Sequence, residues 1–324
     1  MKKVNLKKTI ETLRQAHSVL LCTHLQPDGD AIGSTLAAEA LMKALGKDVT
    51  VVCHDVIPQS MRILSGWEKF CLPKDVQWKT FDLGCSIDAS DIERIGDAVG
   101  LFKSASITLV IDHHASNTCF GDLNYIDSKV AASGNLVFRL FEEAEIPITK
   151  EVASYLYAAV STDTGNFSFG QMDEEFFLQV SKLMRAGLDI STYSRALHLN
   201  KELNFYKLLS RALASLTFYC DGKLTSMQLY ERDFIETETS HDMTEGLVNY
   251  ALNIAGVQMC FLATQLDNGQ VKFSLRALYP HNVSEIAVEF GGGGHLLAAG
   301  CTLTMSFDEA VTKMKERMMK SVCL

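Results

Sequence analysis

Four short runs rich in apolar residues limit what the first half of this chain can fold into. They are "SVLLCTH" (18–24), "DVTVVCH" (48–54), "FDLGCSIDAS" (81–90) and "ITLVIDHH" (107–114). Runs of this kind read as strands covered on both faces, the condition of a parallel sheet flanked by helices. Between the first two, "AIGSTLAAEALMKALGK" (31–47) places apolar residues at three- and four-residue spacing and has Gly46 near its end, which predicts a helix. "EVASYLYAAVSTDTG" (151–165) predicts a second helix running into a loop. Strands alternating with helices predict an α/β fold with a mostly parallel sheet.

The second half has a different rhythm. Residues 187–213 read as a polar helical connector between a first domain over 1–186 and a second over 214–324. In the second domain, "KLTSMQLY" (223–230) predicts a strand, and a helix is expected near 243–255. Two strand patterns then flank Asp267-Asn268-Gly269 within 257–278, a hairpin signal. A helix near 283–290, the run "FGGGGH", a strand near 300–305 and a terminal helix complete a smaller α+β domain.

A length of 324 residues suits two domains better than one core. No apolar stretch approaches the roughly 18 uncharged residues of a membrane helix, and charge interrupts the N-terminal stretch, so neither a membrane span nor a signal peptide is expected. Nine cysteines without a CxxC pair fit reduced thiols in a cytoplasm. A net charge of −9 argues against stable binding of long nucleic acid through a general basic surface. A phosphate would have to be held by metal ions or by a few aimed Arg and His residues.

The apolar runs share their ending. One closes on His24 and is followed by Asp28 and Asp30; another closes on Asp88; a third closes on Asp112, His113 and His114. A fourth segment, "AAVSTDTG", delivers Asp163 into a turn marked by Gly165. In an open parallel sheet the carboxyl ends of the strands share one edge, where ligands bind. Carboxylates crowded there would repel and protonate unless cations stood among them. Oxygen and imidazole donors without thiolate suit Mn, Mg, Fe or Zn, and the carboxylate excess favours Mn. Six donors, His24, Asp28, Asp30, Asp88, His113 and Asp163, suit two ions sharing one carboxylate, an arrangement that activates water against a phosphate ester. Singly, each piece has a plainer reading: Asp88 could cap a helix near Ser90, "PDGD" and "TDTG" could be turns. Their order, each after an apolar segment, is what points to a metal centre.

The set "HLQPDGDAIGS", "SIDASD", "IDHHASN" and "VSTDTGNFSF" resembles the four motifs of the DHH phosphoesterase superfamily, and "FSLRALYPHNVSEIAVEFGGGGHLLAAG" resembles the signature of its DHHA1 C-terminal domain. The nearest subgroup is the NanoRNase/pAp-phosphatase group. The resemblance implies two divalent ions, Mn2+ first with Mg2+ or Co2+ as substitutes, in a cleft between the two domains. It implies that Asp88 bridges them, that His24 and Asp28 complete one ion, and that Asp30, His113 and Asp163 complete the other. His114 would face the scissile phosphate or donate to the leaving oxygen, Asp112 would orient a neighbouring imidazole, and Asn117 would join the substrate contacts. The implied substrates are very short 5'-phosphorylated oligoribonucleotides, 3'-phosphoadenosine 5'-phosphate (pAp) and pApA, with a second copy of the chain as a candidate partner. Departures from the family pattern at Gly134, at Ala89-Ser90 and at 170–172 remove no metal ligand and bear on substrate preference.

In the second domain four glycines would let the backbone approach an anion, with His295 directly after them and Arg276 ending a hairpin strand. Arg grips phosphate bidentately, and the family resemblance likewise implies that Arg276, Gly293, Gly294 and His295 hold a distal phosphate. Two rival functions share this scaffold: a pyrophosphatase or exopolyphosphatase, and a non-catalytic nucleotide sensor. Loss of a metal ligand would mark the sensor, and none is lost.

Overall fold

The computed structural model describes residues 2–76 and 80–322. The chain divides into two compact units, Met1–Asn200 and Lys201–Leu324. The division falls inside the helical stretch 187–213.

The first unit is built on seven strands: β1 (Lys2–Lys3), β2 (Ser18–Cys22), β3 (Asp48–Val52), β4 (Phe70–Cys71), β5 (Leu83–Ile87), β6 (Ile107–Asp112) and β7 (Leu123–Ile126). Their order is β1-β7-β6-β5-β2-β3-β4, and every pairing is parallel. The helices are α1 (Leu6–Gln15), α2 (Gly29–Ala44), α3 (Val99–Ser104), α4 (Ser133–Ala144), α5 (Lys150–Asp163), α6 (Glu174–Arg185) and α7 (Ile190–Ser194). The continuous apolar character of β2 has its cause in two covered faces. Val19 and Leu21 pack with α1, α2, α4 and α5, while Leu20 and Cys22 pack with Phe81, Ile95 and Phe102 on the other side. From β2 the chain turns one way to β3 and later returns on the other side as β5, so a topological switch lies between β2 and β5.

Two glycines set the spacing of α2 against α5. A Cβ on Gly29 would stand 2.4 Å from the Thr162 side chain, and one on Gly33 would stand 2.3 Å from the Tyr155 carbonyl oxygen. The close approach brings the start of α2, with Asp28 and Asp30, onto the end of α5, with Asp163. Gly33→Ala therefore forces the helices apart. Overpacking of this kind costs about 1–3 kcal/mol, so Tm is expected to fall by roughly 3–10 °C. Calorimetry checks this, and an unchanged Tm contradicts the packing argument.

The second unit contains β8 (Thr217–Tyr219), β9 (Leu224–Leu229), β10 (Met259–Gln265), β11 (Val271–Ala277), β12 (Gly293–His295) and β13 (Ala298–Leu303), in the order β12-β13-β11-β10-β9-β8. Among the described residues of this unit only β9 and β10 pair in parallel. Its helices are α8 (Leu203–Ala214), α9 (Glu231–Thr237), α10 (Leu247–Leu252), α11 (Val283–Glu289) and α12 (Phe307–Val322). Phe261, Phe273 and Leu275 of the sheet pack with Ile286 of α11 and with Met314 and Met318 of α12.

Several expectations are corrected in detail. Asp163 is the last residue of α5 rather than part of the following turn. No helix begins at Ser90; a 3-10 turn occupies Glu93–Ala98. The helix expected at 243–255 is confined to Leu247–Leu252, because Gly246 enters it in the left-handed region with φ 81°. Part of the glycine run is a strand, β12, hydrogen-bonded to β13. Cys22, Cys53, Cys71, Cys85, Cys119, Cys260 and Cys301 carry free thiols, but Cys220 is disulfide-bonded, which overturns the expectation of a reduced thiol there. Among the described residues no helix is long and apolar enough to cross a membrane.

Candidate metal centre

Three neighbouring strands deliver most of the site from their carboxyl ends. β2 is followed by His24, β5 by Asp88, and β6 closes on Asp112 with His113 and His114 next. β5 lies between the other two. The α2–α5 contact supplies the rest: Asp28 is the N-cap of α2, accepting from the Ala31 N–H at 3.0 Å, Asp30 sits in the first turn, and Asp163 closes α5.

Six of these side chains form two groups. Donor atoms of His24, Asp28 and Asp88 lie within 4.8 Å of one another, and so do those of Asp30, His113 and Asp163. Asp88 stands between the groups: its Oδ2 is 3.6 Å from His24 Nε2 and its Oδ1 is 3.7 Å from His113 Nε2. His24 Nε2 is 3.8 Å from Asp28 Oδ1, and His113 Nε2 is 3.7 Å from Asp30 Oδ2 and 3.1 Å from Asp163 Oδ2. Most of these separations exceed a hydrogen bond. Two donors each about 2.1 Å from one cation stand roughly 3–3.5 Å apart, so the spacing fits shared ions. The donors are all carboxylate oxygen and imidazole nitrogen, which suits a hard or borderline divalent ion. Asp88 holds φ +61°, a conformation Asp and Asn tolerate better than most residues.

The electrostatics agree with that fit. Burial, followed by the charge of Asp88, pushes the Asp30 carboxyl up to about 7. Burial, followed by the carboxylates of Asp30, Asp28 and Asp88, pushes Asp163 well above the usual range. Burial works the same way on Asp28, but the nearby imidazole of His24 overcomes it and holds that carboxyl low. Anions crowded this way are relieved by a cation among them.

A surrounding layer holds the donors. His24 Nδ1 lies 2.7 Å from the Leu25 carbonyl oxygen, which takes its proton and directs Nε2 inward as the donor. Asp30 Oδ2 accepts from the Ser133 N–H at 2.6 Å, and its Oδ1 accepts from the Gly134 N–H at 3.0 Å and the Ser34 hydroxyl at 2.6 Å. The Ser133 hydroxyl donates to Asp88 Oδ1 at 2.9 Å. Asp112 is fully buried; its Oδ1 takes the His114 Nδ1 proton at 2.7 Å and the His113 N–H at 2.8 Å. Burial opposes ionisation of Asp112, yet the His114 contact holds it down at about 2.

The other sequence-derived candidates are placed as follows. Both ends of the Asn117 amide are engaged: Nδ2 donates to Asp112 Oδ2 at 2.5 Å and to the Ala89 carbonyl at 2.9 Å, while Oδ1 accepts from the Cys119 N–H at 2.7 Å. In the second unit, β11 pairs Arg276 with Ala298, and β12 pairs His295 with the same Ala298. Directly opposed residues share a sheet face, so Arg276 and His295 stand in one row across a small residue. Arg276 Nε donates to Asn249 Oδ1 at 3.1 Å. Gly294, at φ +143°, passes where a Cβ would stand 2.6 Å from the Ala298 carbonyl oxygen.

The sequence reading noted Gly134 only as a departure from the family pattern and missed the support that Ser133 and Gly134 give to Asp30 and Asp88. Two of their contributions are backbone N–H groups, which carry no residue signature. A Cβ on Gly134 would stand 2.6 Å from the Ala159 Cβ, so this departure from the family pattern is a close-packing position between α4 and α5.

Comparison with known proteins follows the same two-part division. Residues 18–160 match the DHH family, N-terminal domain, and residues 222–320 match the DHHA1 domain. The chain is 30% identical over 299 residues to the bifunctional oligoribonuclease and PAP phosphatase NrnA of Thermus thermophilus, spanning 92% of this chain and 88% of that one. It is 24% identical to the protein of the same description from Bacillus subtilis, over 93% and 94% of the two chains. Among solved structures, an exopolyphosphatase-related protein from Bacteroides fragilis superposes with a TM-score of 0.90 at 24% identity, covering 97% of this chain and 95% of that one.

Proposed function

This chain belongs to the DHH family of phosphoesterases, hydrolases acting on phosphoester bonds, with a DHHA1 domain after its DHH domain, and from that premise we propose that it acts on very short oligoribonucleotides and on pAp. Oligonucleotides would be shortened one nucleotide at a time, pAp would yield AMP, and the linear dinucleotide pApA would suit the same site. The observation that carries this reading is the pair of three-donor groups with Asp88 between them. The description of the Thermus thermophilus relative supplies the substrate classes.

His24, Asp28 and Asp88 would hold one divalent ion, and Asp30, His113, Asp163 and Asp88 the second, with Mn2+ favoured by the carboxylate excess. Ions held there supply Lewis-acid polarisation of the phosphoryl oxygens and a water acidic enough to attack at neutral pH. Asp112 keeps the His114 proton on Nδ1, and in this reading His114 exchanges a proton at Nε2 with the leaving oxygen. Arg276, with His295 in its row and the Gly293-Gly294 backbone beside it, recognises a further phosphate of the substrate.

The test is a panel of pAp, pApA, RNAs from dinucleotides to long single strands, and polyphosphate, each with Mn2+, Mg2+ and Co2+. Turnover of pAp and the shortest RNAs supports the proposal; turnover confined to pyrophosphate or polyphosphate refutes it. Arg276→Ala is expected to raise KM for pAp by about ten- to a hundredfold, the loss of one charge-assisted grip. Its effect on p-nitrophenyl phosphate, which has no second phosphate, should be much smaller. Steady-state kinetics on both substrates checks this, and equal effects would contradict the assignment.

A further inference from the structure

The loop that leaves Asp88 also carries an arginine whose charge has no carboxylate partner among the described residues. Arg94 is fixed by its backbone on both sides: its N–H donates to Asp91 Oδ1 at 3.0 Å, and its carbonyl accepts from the Leu25 N–H at 2.7 Å. Gly96, at φ +55°, presses the same segment inward; a Cβ there would stand 2.6 Å from the Leu25 side chain and 2.9 Å from His54. The guanidinium of Arg94 ends with Nη2 3.3 Å from His24 Nδ1. That ring nitrogen already gives its proton to the Leu25 carbonyl at the shorter distance of 2.7 Å, so it is a neighbour of the guanidinium and not an acceptor for it. Asp91, Glu93 and Asp97 share the segment, yet among the described residues none comes within the 4.0 Å of an ion pair with Arg94. The side chain remains exposed.

We infer that Arg94 contacts a non-bridging oxygen of the phosphoryl group that is cleaved. The inference rests on the reading of the cluster as a phosphoester centre. Charge explains why such a group is required. The carboxylates of Asp28, Asp30, Asp88 and Asp163 balance the four positive charges of two divalent ions, so the ions and their ligands together present no net charge to an entering phosphate. The chain as a whole adds repulsion, at −9. An arginine beside His24, one imidazole away from the donors, adds a positive charge next to the site. Its planar fork can meet two phosphate oxygens, or one oxygen with two N–H groups, while the backbone contacts to Leu25 and Asp91 hold it in register with the metal ligand.

The experiment is a titration of the Mn-loaded protein with inorganic phosphate by calorimetry, on wild type, Arg94→Ala and Arg94→Lys, with pAp kinetics and elemental analysis in parallel. Arg94→Ala is expected to weaken phosphate binding and lower kcat/KM for pAp by about ten- to a hundredfold each. Metal content and Tm should stay at wild-type values, and Arg94→Lys should lose less because it keeps the charge. Phosphate affinity within twofold of wild type in Arg94→Ala overturns the inference. Loss of metal parallel to the loss of affinity also overturns it, because Arg94 would then act by positioning His24. Should the wild type hydrolyse neither pAp nor short RNA, the functional reading fails, and the phosphate titration still decides the role of Arg94.

Discussion

Asp88→Asn is expected to reduce turnover of pAp by about a thousandfold or more, the scale of losing a charge that stabilises the transition state together with its hold on the ions. Asparagine keeps the shape of the side chain and tolerates the φ of +61° at this position, so the backbone need not move. What it removes is the second negative oxygen. Among the described residues Asp88 is the one carboxylate with an oxygen toward both imidazoles, Oδ2 toward His24 and Oδ1 toward His113. Both groups should therefore weaken together, and elemental analysis should show metal content falling below the wild-type value. The remaining strut from the Ser133 hydroxyl would hold an amide as well as a carboxylate, which makes misfolding a poor explanation for the loss. Turnover within tenfold of wild type at full metal content contradicts the bridging role.

His113→Ala and His114→Ala are expected to fail in different ways although the residues are adjacent. His113 Nε2 faces Asp30, Asp88 and Asp163, so its removal should release metal and activity together. His114 is turned to Asp112 through Nδ1, at 2.7 Å. Its removal should leave metal content intact and lower kcat by about a hundredfold or more, the scale of a lost general acid. Paired measurements of metal content and kcat separate the two, and equal metal loss in both variants contradicts the division of labour.

Much of the first unit was legible because its information is local. Leu20, Leu21 and Cys22 are buried on opposite faces of β2, so the run appears in sequence as unbroken apolar character. The hairpin around Asp267-Asn268-Gly269 was legible for a similar reason, since turn chemistry is written in adjacent residues. The strands that escaped notice were β1 and β4, of two residues each and too short for any period, and also β7, β8 and the β12 part of the glycine run. The helix α4 escaped because its first turn, Ser133-Gly134-Asn135, has small polar residues where an apolar stripe would be sought, and its N-cap is Ala132. That omission mattered at the site, since α4 brings the N–H groups that hold Asp30. The gathering of Asp28 and Asp30 with Asp163 also depends on a tertiary contact, the approach of α2 to α5 over Gly29 and Gly33. The ligand types could be read from their positions after the strands, but the layer that orients them belongs to the packing.

The most direct measurement is the number of Mn ions bound per chain, by elemental analysis of loaded and dialysed protein, followed by pAp turnover as metal-free protein is titrated with Mn2+. Six donors in two groups, with Asp88 between them, predict two ions per chain, with turnover rising as the second equivalent binds. Full turnover at one ion per chain, or turnover unchanged after both ions are removed, would contradict it.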